Sequence, residues 1–194
     1  MYLDIVKKSS LRLLNTINDI IEISRIEAGQ IPMQFSDINV NEMMNYFYRF
    51  FKPEAEQKNI ELMMSNQPNP FPGQIRCDKI KLESILTNFI KNALKFTNSG
   101  SIVLGYKLNN GELTFFVEDS GIGIPRDRLK AIFERFVQAD LAVSRPYEGS
   151  GLGLAICKAY ADMLGARISV ESEYGRGSVF YLTLPANSNS DKTL

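Results

Sequence analysis

Two asparagines and a lysine recur at helical spacing near the middle of the chain, at Asn88, Asn92 and Lys95. Residues three and four apart in a helix project from one face, so the two amides and the ammonium group would lie together. Amide oxygens can bind Mg²⁺, which prefers oxygen ligands, and a lysine one turn further on can contact phosphate oxygens. Helical asparagines more often face solvent, so this pattern predicts a metal site only in combination with the motifs that follow.

The second motif begins at Asp119, which ends an apolar, strand-like run and precedes Gly121 and Gly123. A carboxylate there can accept a hydrogen bond from an exocyclic amine such as that of adenine. The two glycines remove side chains, so that a flat base could approach the backbone. Asp-Ser-Gly on its own is a common turn, and its meaning depends on its neighbours.

The third motif is a glycine-rich run that starts thirty residues after Asp119 and immediately precedes a predicted helix. It consists of Gly149, Ser150, Gly151, Leu152, Gly153 and Leu154. Backbone N–H groups at a helix N-terminus attract phosphate, and the glycines would let a loop close over the phosphates and reopen. The spacing matches neither the phosphate-loop nor the dinucleotide fingerprint. Together, the three motifs predict a site for a magnesium nucleotide.

Composition narrows the class of protein. The 194 residues are 44% apolar and 23% charged, as in a globular domain, and the formal net charge of zero gives no basic surface for nucleic acid. No apolar run reaches the roughly 18 residues of a membrane span. Cys77 and Cys157 are isolated and are expected to be buried thiols. The complete absence of histidine argues against zinc sites and histidine-based acid/base catalysis within this chain.

The elements that must position these motifs begin with a helix predicted over residues 2 to 28, which ends at Gly29. Its heptad seam consists of Leu3, Val6, Ser10, Leu13, Ile17, Ile20 and Ser24. Leu14 and Ile21 widen this stripe toward bundle packing. A single helix cannot bury such a face, so we expect a partner helix from upstream sequence or from a second copy of the chain. The alternative is that the helix docks onto the following domain.

Alternating elements are predicted after residue 32. Strands are expected at 33 to 40, 59 to 65 and 75 to 77, and helices at 41 to 57, 78 to 96, 125 to 136 and 151 to 164. Two hairpins are expected, one pairing 101 to 108 with 112 to 118 and one pairing 166 to 171 with 177 to 184. Asp78 is predicted to cap the third helix, Asn110-Gly111 to form the first hairpin turn, and residues 137 to 150 to form a long mobile loop.

The asparagine helix, the turn after Asp119 and the second glycine run resemble the N, G1 and G2 boxes of the histidine-kinase catalytic and ATP-binding domain, which also has an F box. Residues 133 to 136 resemble the F box and residues 175 to 178 the last glycine motif. The resemblance implies an α/β (α+β) two-layer sandwich, with a mixed sheet packed on three helices, preceded by one long helix. This is the Bergerat fold. It also implies three parts: residues 1 to 30 as the second helix of a dimerisation and phosphoacceptor hairpin, 31 to 185 as the catalytic domain, and 186 to 194 as a flexible tail.

The resemblance further implies a role for each motif. Asn88 and Asn92 would hold Mg²⁺, Lys95 would contact the phosphates of ATP, and Asp119 would accept from the adenine amine, with Gly121 and Gly123 beside the base. Residues 137 to 150 would form a lid over ATP, with Phe133 and Phe136 packed at its base. The other implied nucleotide contacts are Ile124, Phe136, Arg145, Gly149, Ser150, Gly151, Leu152, Gly153, Leu154 and Ser178.

The chain departs from the family in one respect, because the phosphoacceptor histidine belongs on a first hairpin helix and this sequence has no histidine. We therefore expect a fragment of a sensor histidine kinase that donates the γ-phosphoryl group of ATP to a histidine outside it. The expected partners are the missing phosphoacceptor hairpin, a response regulator receiver domain and a second copy in a homodimer, with no nucleic acid. The domain is expected to be cytoplasmic and its parent protein to be anchored in the cell membrane.

Two alternatives share the same motifs. ATP hydrolases of the wider fold family, such as DNA gyrase, mismatch-repair ATPases and heat-shock chaperones, place a glutamate four residues before the magnesium asparagine to activate water. This chain has Asn88 there, and an amide is not a general base. The other alternative is a pseudokinase, which binds nucleotide without catalysing transfer.

Overall fold

The computed structural model describes residues 2–65, 73–137 and 150–185. Within these ranges the helices are α1 (Tyr2–Glu27), α2 (Val40–Gln57), α3 (Lys79–Phe96) and α4 (Gly153–Met163). The strands are β1 (Phe35–Asn39), β2 (Ile60–Met64), β3 (Gln74–Asp78), β4 (Gly100–Asn109), β5 (Glu112–Asp119), β6 (Arg167–Glu173) and β7 (Gly177–Pro185). The predicted lid, apart from its two end residues, and the predicted tail lie outside the described residues.

Five strands form one mixed sheet in the order β2-β4-β5-β7-β6. The β2–β4 pair is parallel and the other three pairs are antiparallel. Strands β1 and β3 form a separate antiparallel pair next to α2 and α3. The fold class predicted from the sequence, a mixed sheet packed on three helices after one long helix, is confirmed.

The core lies between the sheet and helices α2, α3 and α4. Alternate residues of β5, Leu113, Phe115 and Val117, are fully or almost fully buried, as expected for a strand with one face toward the core. Phe89 of α3 packs on Phe180 of β7, with ring centroids 5.3 Å apart. Asp119 continues the buried row of β5 at the end of the strand, so a carboxylate lies where the core reaches the surface.

Local signals fixed the boundaries of α3 and of the first hairpin as predicted. The Oδ1 atom of Asp78 accepts a hydrogen bond from the Lys81 backbone N–H at 3.2 Å, which caps the helix. Asn110 and Gly111 both adopt positive φ angles, 51° and 76°, as a tight turn between twisted antiparallel strands requires.

The helix predicted over residues 125 to 136 was wrong. The structure has turns there and a single 3₁₀ helix, Ala131–Phe133. The Glu134 N–H donates to the carbonyl of Ala131 in a three-residue step, and the next residues turn away from helical geometry. The chain has to bring Phe136 back to Gly151, where its N–H donates to the Gly151 carbonyl at 3.1 Å, so the helix does not continue.

Helix α1 divides into an exposed part and a docked part. Its described apolar stripe is 42% to 84% exposed at Leu3, Val6, Leu13, Leu14, Ile17, Ile20 and Ile21. One turn further on, Ile23 is 7% exposed and α1 contacts α4. Docking onto the following domain, the alternative left open by the sequence, therefore holds for the end of α1, and the remaining stripe stays uncovered.

Three polar contacts accompany this docking. Ser150 donates its hydroxyl to Asp19 at 2.7 Å, Tyr160 of α4 donates to Glu22, and the Arg135 guanidinium pairs with Glu27. Among the helices of the described residues, none is both long enough and apolar enough to cross a membrane.

Candidate nucleotide-binding site

Helix α3 presents the two predicted metal ligands side by side. The Nδ2 atom of Asn92 donates to the Oδ1 atom of Asn88 at 3.0 Å, and both side chains are half-buried. The Lys95 ammonium lies 4.5 Å from the centroid of the ring of its neighbour Phe96, as in a cation–π contact. The spacing argument is confirmed for the amides, which share one helical face.

Asp119 is nearly buried, with 7% of the residue exposed. Its Oδ1 atom accepts from the Gly121 backbone N–H at 2.9 Å. Burial raises the pKa of Asp119 from 3.8 to about 6, although hydrogen bonds from the backbone of Gly121 and Ser178 act in the opposite direction. Burial disfavours the charged form of this carboxyl group, and a hydrogen bond donated by a ligand would stabilise that form. Asp119 is therefore suited to accept a hydrogen bond from a ligand.

The turn after Asp119 packs directly against the end of α3. A Cβ atom at Gly121 would lie 2.5 Å from the carbonyl oxygen of Phe96, and the Ile122 N–H donates to that same oxygen at 3.2 Å. Only a glycine allows this approach. The turn after Asp119 therefore contacts the end of the helix that carries Asn88 and Asn92.

Gly123 holds the far side of the turn against the β6–β7 hairpin. It has a φ angle of 65°, and a Cβ atom there would lie 2.2 Å from the Glu173 carbonyl oxygen. Next to it, the Gly175 N–H donates to the Ile122 carbonyl at 2.8 Å, and the Ile124 N–H donates to the Ser172 hydroxyl at 2.7 Å. The turn is thus fixed from both sides before any ligand binds.

The second glycine run meets α3 at Gly153, the first residue of α4. A Cβ atom at Gly153 would lie 2.4 Å from the Nδ2 atom of Asn88. Gly151 has a φ angle of 72° and accepts from the Phe136 N–H. The start of α4, whose N–H groups can bind phosphate, therefore lies against the predicted metal ligands with no side chain between them.

The remaining members of the run take different positions. Ser150 accepts from the Leu152 N–H at 3.2 Å while it donates to Asp19. Leu152 is fully buried and Leu154 packs against the core, so both can contact a nucleotide only through backbone atoms. Gly149 and Arg145, which were predicted to contact the nucleotide, lie outside the described residues.

The two phenylalanines of the F box differ from each other. Phe133 packs against the core. Phe136 is 66% exposed and has a φ angle of 61°, which is strained for a bulky residue. The residues that Phe136 was expected to pack under lie outside the described part of the chain, and within that part its backbone N–H donates to the Gly151 carbonyl.

Sequence reasoning missed Ser172, although a signal was present. The predicted hairpin strand ended at residue 171, whereas β6 runs on to Glu173 and pairs Ser172 with Ser178. Extending the hairpin register from Gly177-Ser178 would have placed Ser172 opposite Ser178, which was predicted to contact the nucleotide. The 6% exposure of Ser178 places that predicted contact in the same nearly buried row as Asp119.

The donor set fits a magnesium adenine nucleotide. Two amide oxygens within one helical turn suit a cation that keeps several waters, and the glycine-lined start of α4 leaves space for phosphate beside them. Asp119 supplies a buried acceptor near the C-terminal end of α3, next to a turn with glycine at positions 121 and 123. These parts are chemically suited to metal, phosphate and base in that order.

Comparison with known proteins identifies the family of this chain. Residues 77 to 188 match the family model described as histidine kinase-, DNA gyrase B- and HSP90-like ATPase. The chain is 39% identical over 188 residues to the autoinducer 2 sensor kinase/phosphatase LuxQ of Vibrio vulnificus, covering 94% of this chain and 22% of LuxQ. It thus spans about a fifth of that relative's length.

Two solved structures have the same fold. Full-length ShkA in complex with AMPPNP superposes with a TM-score of 0.82 at 31% identity, covering 95% of this chain and 38% of ShkA. The catalytic domain of histidine kinase ThkA superposes with a TM-score of 0.66 at 26% identity, covering 79% of this chain and 97% of that domain. The chain therefore belongs to the family of histidine kinase-, DNA gyrase B- and HSP90-like ATPases, and it carries the catalytic ATP-binding domain of a sensor histidine kinase.

Proposed function

We propose that this chain binds Mg-ATP and donates the γ-phosphoryl group to a histidine supplied from outside its 194 residues. The observation that carries the proposal is that the other two motifs both pack against α3, which carries the first. Gly153 contacts Asn88, and Gly121 contacts Phe96. A single helix thereby brings metal ligands, a phosphate-binding helix start and a base-binding turn together. A nucleotide held at both ends is positioned for in-line transfer.

Each group has a distinct part in this proposal. Asp119 accepts from the adenine amine, Asn88 and Asn92 hold the metal, and Lys95 leaves the Phe96 ring to contact a phosphate. Bound Mg²⁺ would neutralise charge on the phosphate oxygens. The nucleophile is an imidazole nitrogen, which forms a bond to the γ-phosphorus as the bond to the β-phosphate oxygen breaks and ADP leaves.

Water activation is not expected at this site. Hydrolysis needs a general base near the attacking water, and Asn88 occupies the position where hydrolases of this fold place a glutamate. We therefore expect transfer to an imidazole to be much faster than loss of phosphate to water. The relatives that carry kinase names support this choice.

The proposal divides the chain at about residue 30. Residues 1 to 30 would form the second helix of a phosphoacceptor hairpin, and 31 to 185 would form the catalytic domain. The ThkA catalytic domain, which matches 79% of this chain, supports the division. The exposed stripe of α1 would pack against the missing hairpin helix and a second copy, in a parent protein anchored in the membrane, with a response regulator receiving the phosphoryl group.

Phosphotransfer to a separately supplied hairpin tests the proposal. The chain is incubated with labelled Mg-ATP and a helical hairpin that carries a histidine, and acid-labile phosphate on the hairpin is measured. Transfer is expected with the wild-type chain and with Asn98→Ala, an exposed control just beyond α3, and not with Asn92→Ala. If Mg-ATP binds and no acid-labile phosphate forms on any histidine-bearing hairpin, the chain is a nucleotide-binding pseudokinase.

A further inference from the structure

The hydroxyl of Ser172 makes three hydrogen bonds at the edge of the base-binding region. It lies 2.7 Å from the Ile124 backbone nitrogen, 2.8 Å from the Gly177 carbonyl oxygen and 3.0 Å from the Ser178 hydroxyl oxygen. A serine hydroxyl has one proton and two lone pairs, so these three contacts use its full capacity.

The directions of these bonds follow from chemistry. The Gly177 carbonyl can only accept, so Ser172 donates its single proton there. The Ile124 N–H can only donate, and it occupies one lone pair of Ser172. The contact with Ser178 must then use the other lone pair, which makes Ser178 the donor. The proton of Ser178 therefore points to Ser172, and its own lone pairs face away.

Ser178 is also paired with Asp119. The two residues are opposite each other in the β5–β7 register, and Ser172 is opposite Ser178 in β6–β7, so the three side chains form a row across three strands. Asp119 and Ser178 are 7% and 6% exposed. With the serine proton engaged by Ser172, both residues present acceptors, a carboxylate oxygen and a hydroxyl oxygen, at the place proposed for the base.

Two adjacent acceptors suit an amino group and oppose a carbonyl. Adenine has an exocyclic amine that donates, whereas hypoxanthine and guanine carry a carbonyl oxygen at the same position, which only accepts. A serine whose proton was free could turn and donate to that oxygen. Because the Ser178 proton is held by Ser172, Ser178 cannot donate to a 6-oxo group. This disfavours 6-oxo purines without adding a contact to adenine.

We propose that Ser172 is a specificity-determining positioning residue, which holds the Ser178 hydroxyl as an acceptor and so favours 6-amino over 6-oxo purine nucleotides. The inference deepens the proposed function, because it rests on Asp119 and its row as the adenine-reading edge. Ser172 acts through Ser178 and through the Ile124 backbone, since none of its three bonds is directed to the ligand.

Calorimetry with Mg-ADP and Mg-IDP tests the proposal. The two nucleotides differ at one edge of the base, where ADP has a 6-amino group and an unprotonated N1 and IDP has a 6-oxo group and an N1–H. The readout is the ratio of the two dissociation constants, which a general loss of stability would not change. Ser172→Ala is expected to lower the wild-type preference for ADP by about fivefold, the worth of one ordinary net hydrogen bond. Ser169→Ala is the matched control on the exposed side of β6, and its ratio should equal that of the wild type.

A double-mutant cycle separates a shared mechanism from two independent ones. Ser178→Ala should also lower the ratio, and Ser172→Ala combined with Ser178→Ala should lower it no further, because Ser172 acts through Ser178. Additive effects would overturn the inference. An unchanged ratio in Ser172→Ala would also overturn it and leave Ser172 a structural residue of the turn. If Ser172→Ala fails to fold, an unchanged ratio in Ser178→Ala overturns the inference equally.

The same measurement distinguishes this inference from the proposed function. A wild-type chain that binds Mg-ADP and Mg-IDP equally would overturn both the adenine-reading edge and the role of Ser172. A wild-type chain that prefers ADP, with the preference unchanged in Ser172→Ala and lost in Asp119→Asn, would overturn the inference alone.

Discussion

A single carboxyl group, that of Asp119, is expected to affect both the stability of this domain and its binding of nucleotide. Asp119 is buried at the end of a core-facing row, and its raised pKa means that the ligand-free protein is destabilised by ionising it. The folded protein binds the proton more tightly than the unfolded chain does. Stability should therefore fall as the pH rises from about 4 to about 6, and the full unfavourable contribution remains above that range.

Asp119→Asn should accordingly have opposite effects on stability and binding. Without nucleotide, the variant should be more stable than the wild type at pH 7.5 by on the order of 2 kcal/mol, and equally stable near pH 4. Adenine nucleotide binding should weaken by roughly 1.5 to 3 kcal/mol, because an amide replaces part of the acceptor with a donor. Denaturation at both pH values and calorimetry would measure these changes. Equal stabilities at pH 7.5 would contradict the burial argument.

The asparagine pair makes a second prediction for single residues. Asn92→Ala should remove most of the increase in ATP affinity that Mg²⁺ produces and leave affinity without metal nearly unchanged. The physical reason is that an amide oxygen is a neutral ligand for a hard cation and contributes little to the base or to uncoordinated phosphate. Titrations with and without Mg²⁺ would show this, with Asn98→Ala as the control. A normal metal effect in Asn92→Ala would rule out this residue as a ligand.

At the scale of elements, the site depends on how α3 meets its neighbours. The turn at Gly121 contacts the end of α3 at Phe96, and α4 begins against the middle of α3 at Asn88. Both contacts use glycine because backbone has to approach within van der Waals distance. The elements would still form with a side chain at either position, and their separation would change.

Gly153→Ala tests this dependence. The added methyl would displace the Asn88 amide, which lies 2.4 Å from the position of the new atom and can rotate away. Thermal stability should change little, since alanine also favours helix, whereas the affinity for the magnesium nucleotide should fall by on the order of tenfold. Lys158→Ala on the exposed side of α4 is the control. Unchanged affinity in Gly153→Ala would show that Asn88 need not hold its present orientation.

At the scale of the whole molecule, α1 is a helix with two environments. Its C-terminal end contacts α4, where Tyr160 donates to Glu22, and Ile23 is buried there. Asp19 and Glu27 contact Ser150 and Arg135, which lie outside α4. Its upstream stripe is exposed, and a contiguous apolar surface on a helix favours association with another helix. The docked end fixes the direction in which the stripe leaves the catalytic domain.

We expect the chain to associate with itself through this stripe as its concentration is raised. Ile17→Lys, which places a charge in the centre of the stripe, should abolish the association without lowering the melting temperature, because Ile17 is 43% exposed in the single chain. Asn18→Lys adds the same charge outside the stripe and should have no effect. Sedimentation velocity at several concentrations would distinguish these outcomes. A wild-type chain that stays monomeric throughout would exclude a second copy as the partner of the stripe.

Much of the fold was predictable because its signals are local. The Asp78 cap, the Asn110-Gly111 turn and the end of α1 before Gly29 depend on residues within a few positions of each other. The segment from 125 to 136 was mispredicted because Phe136 must reach Gly151, fifteen residues away, and that requirement overrides local helix preference.

The sequence by itself determined which groups could bind a magnesium nucleotide, because Asn88 and Asn92 at helical spacing lie on one face in any helix. It also determined that no histidine of this chain can receive the phosphoryl group. Only the tertiary structure decided that Gly153 lies against Asn88, that Asp119 is buried enough to resist ionisation, and that Ser172 orients Ser178. Those properties arise between strands and helices far apart in the chain, where distance and burial depend on packing and no local pattern encodes them.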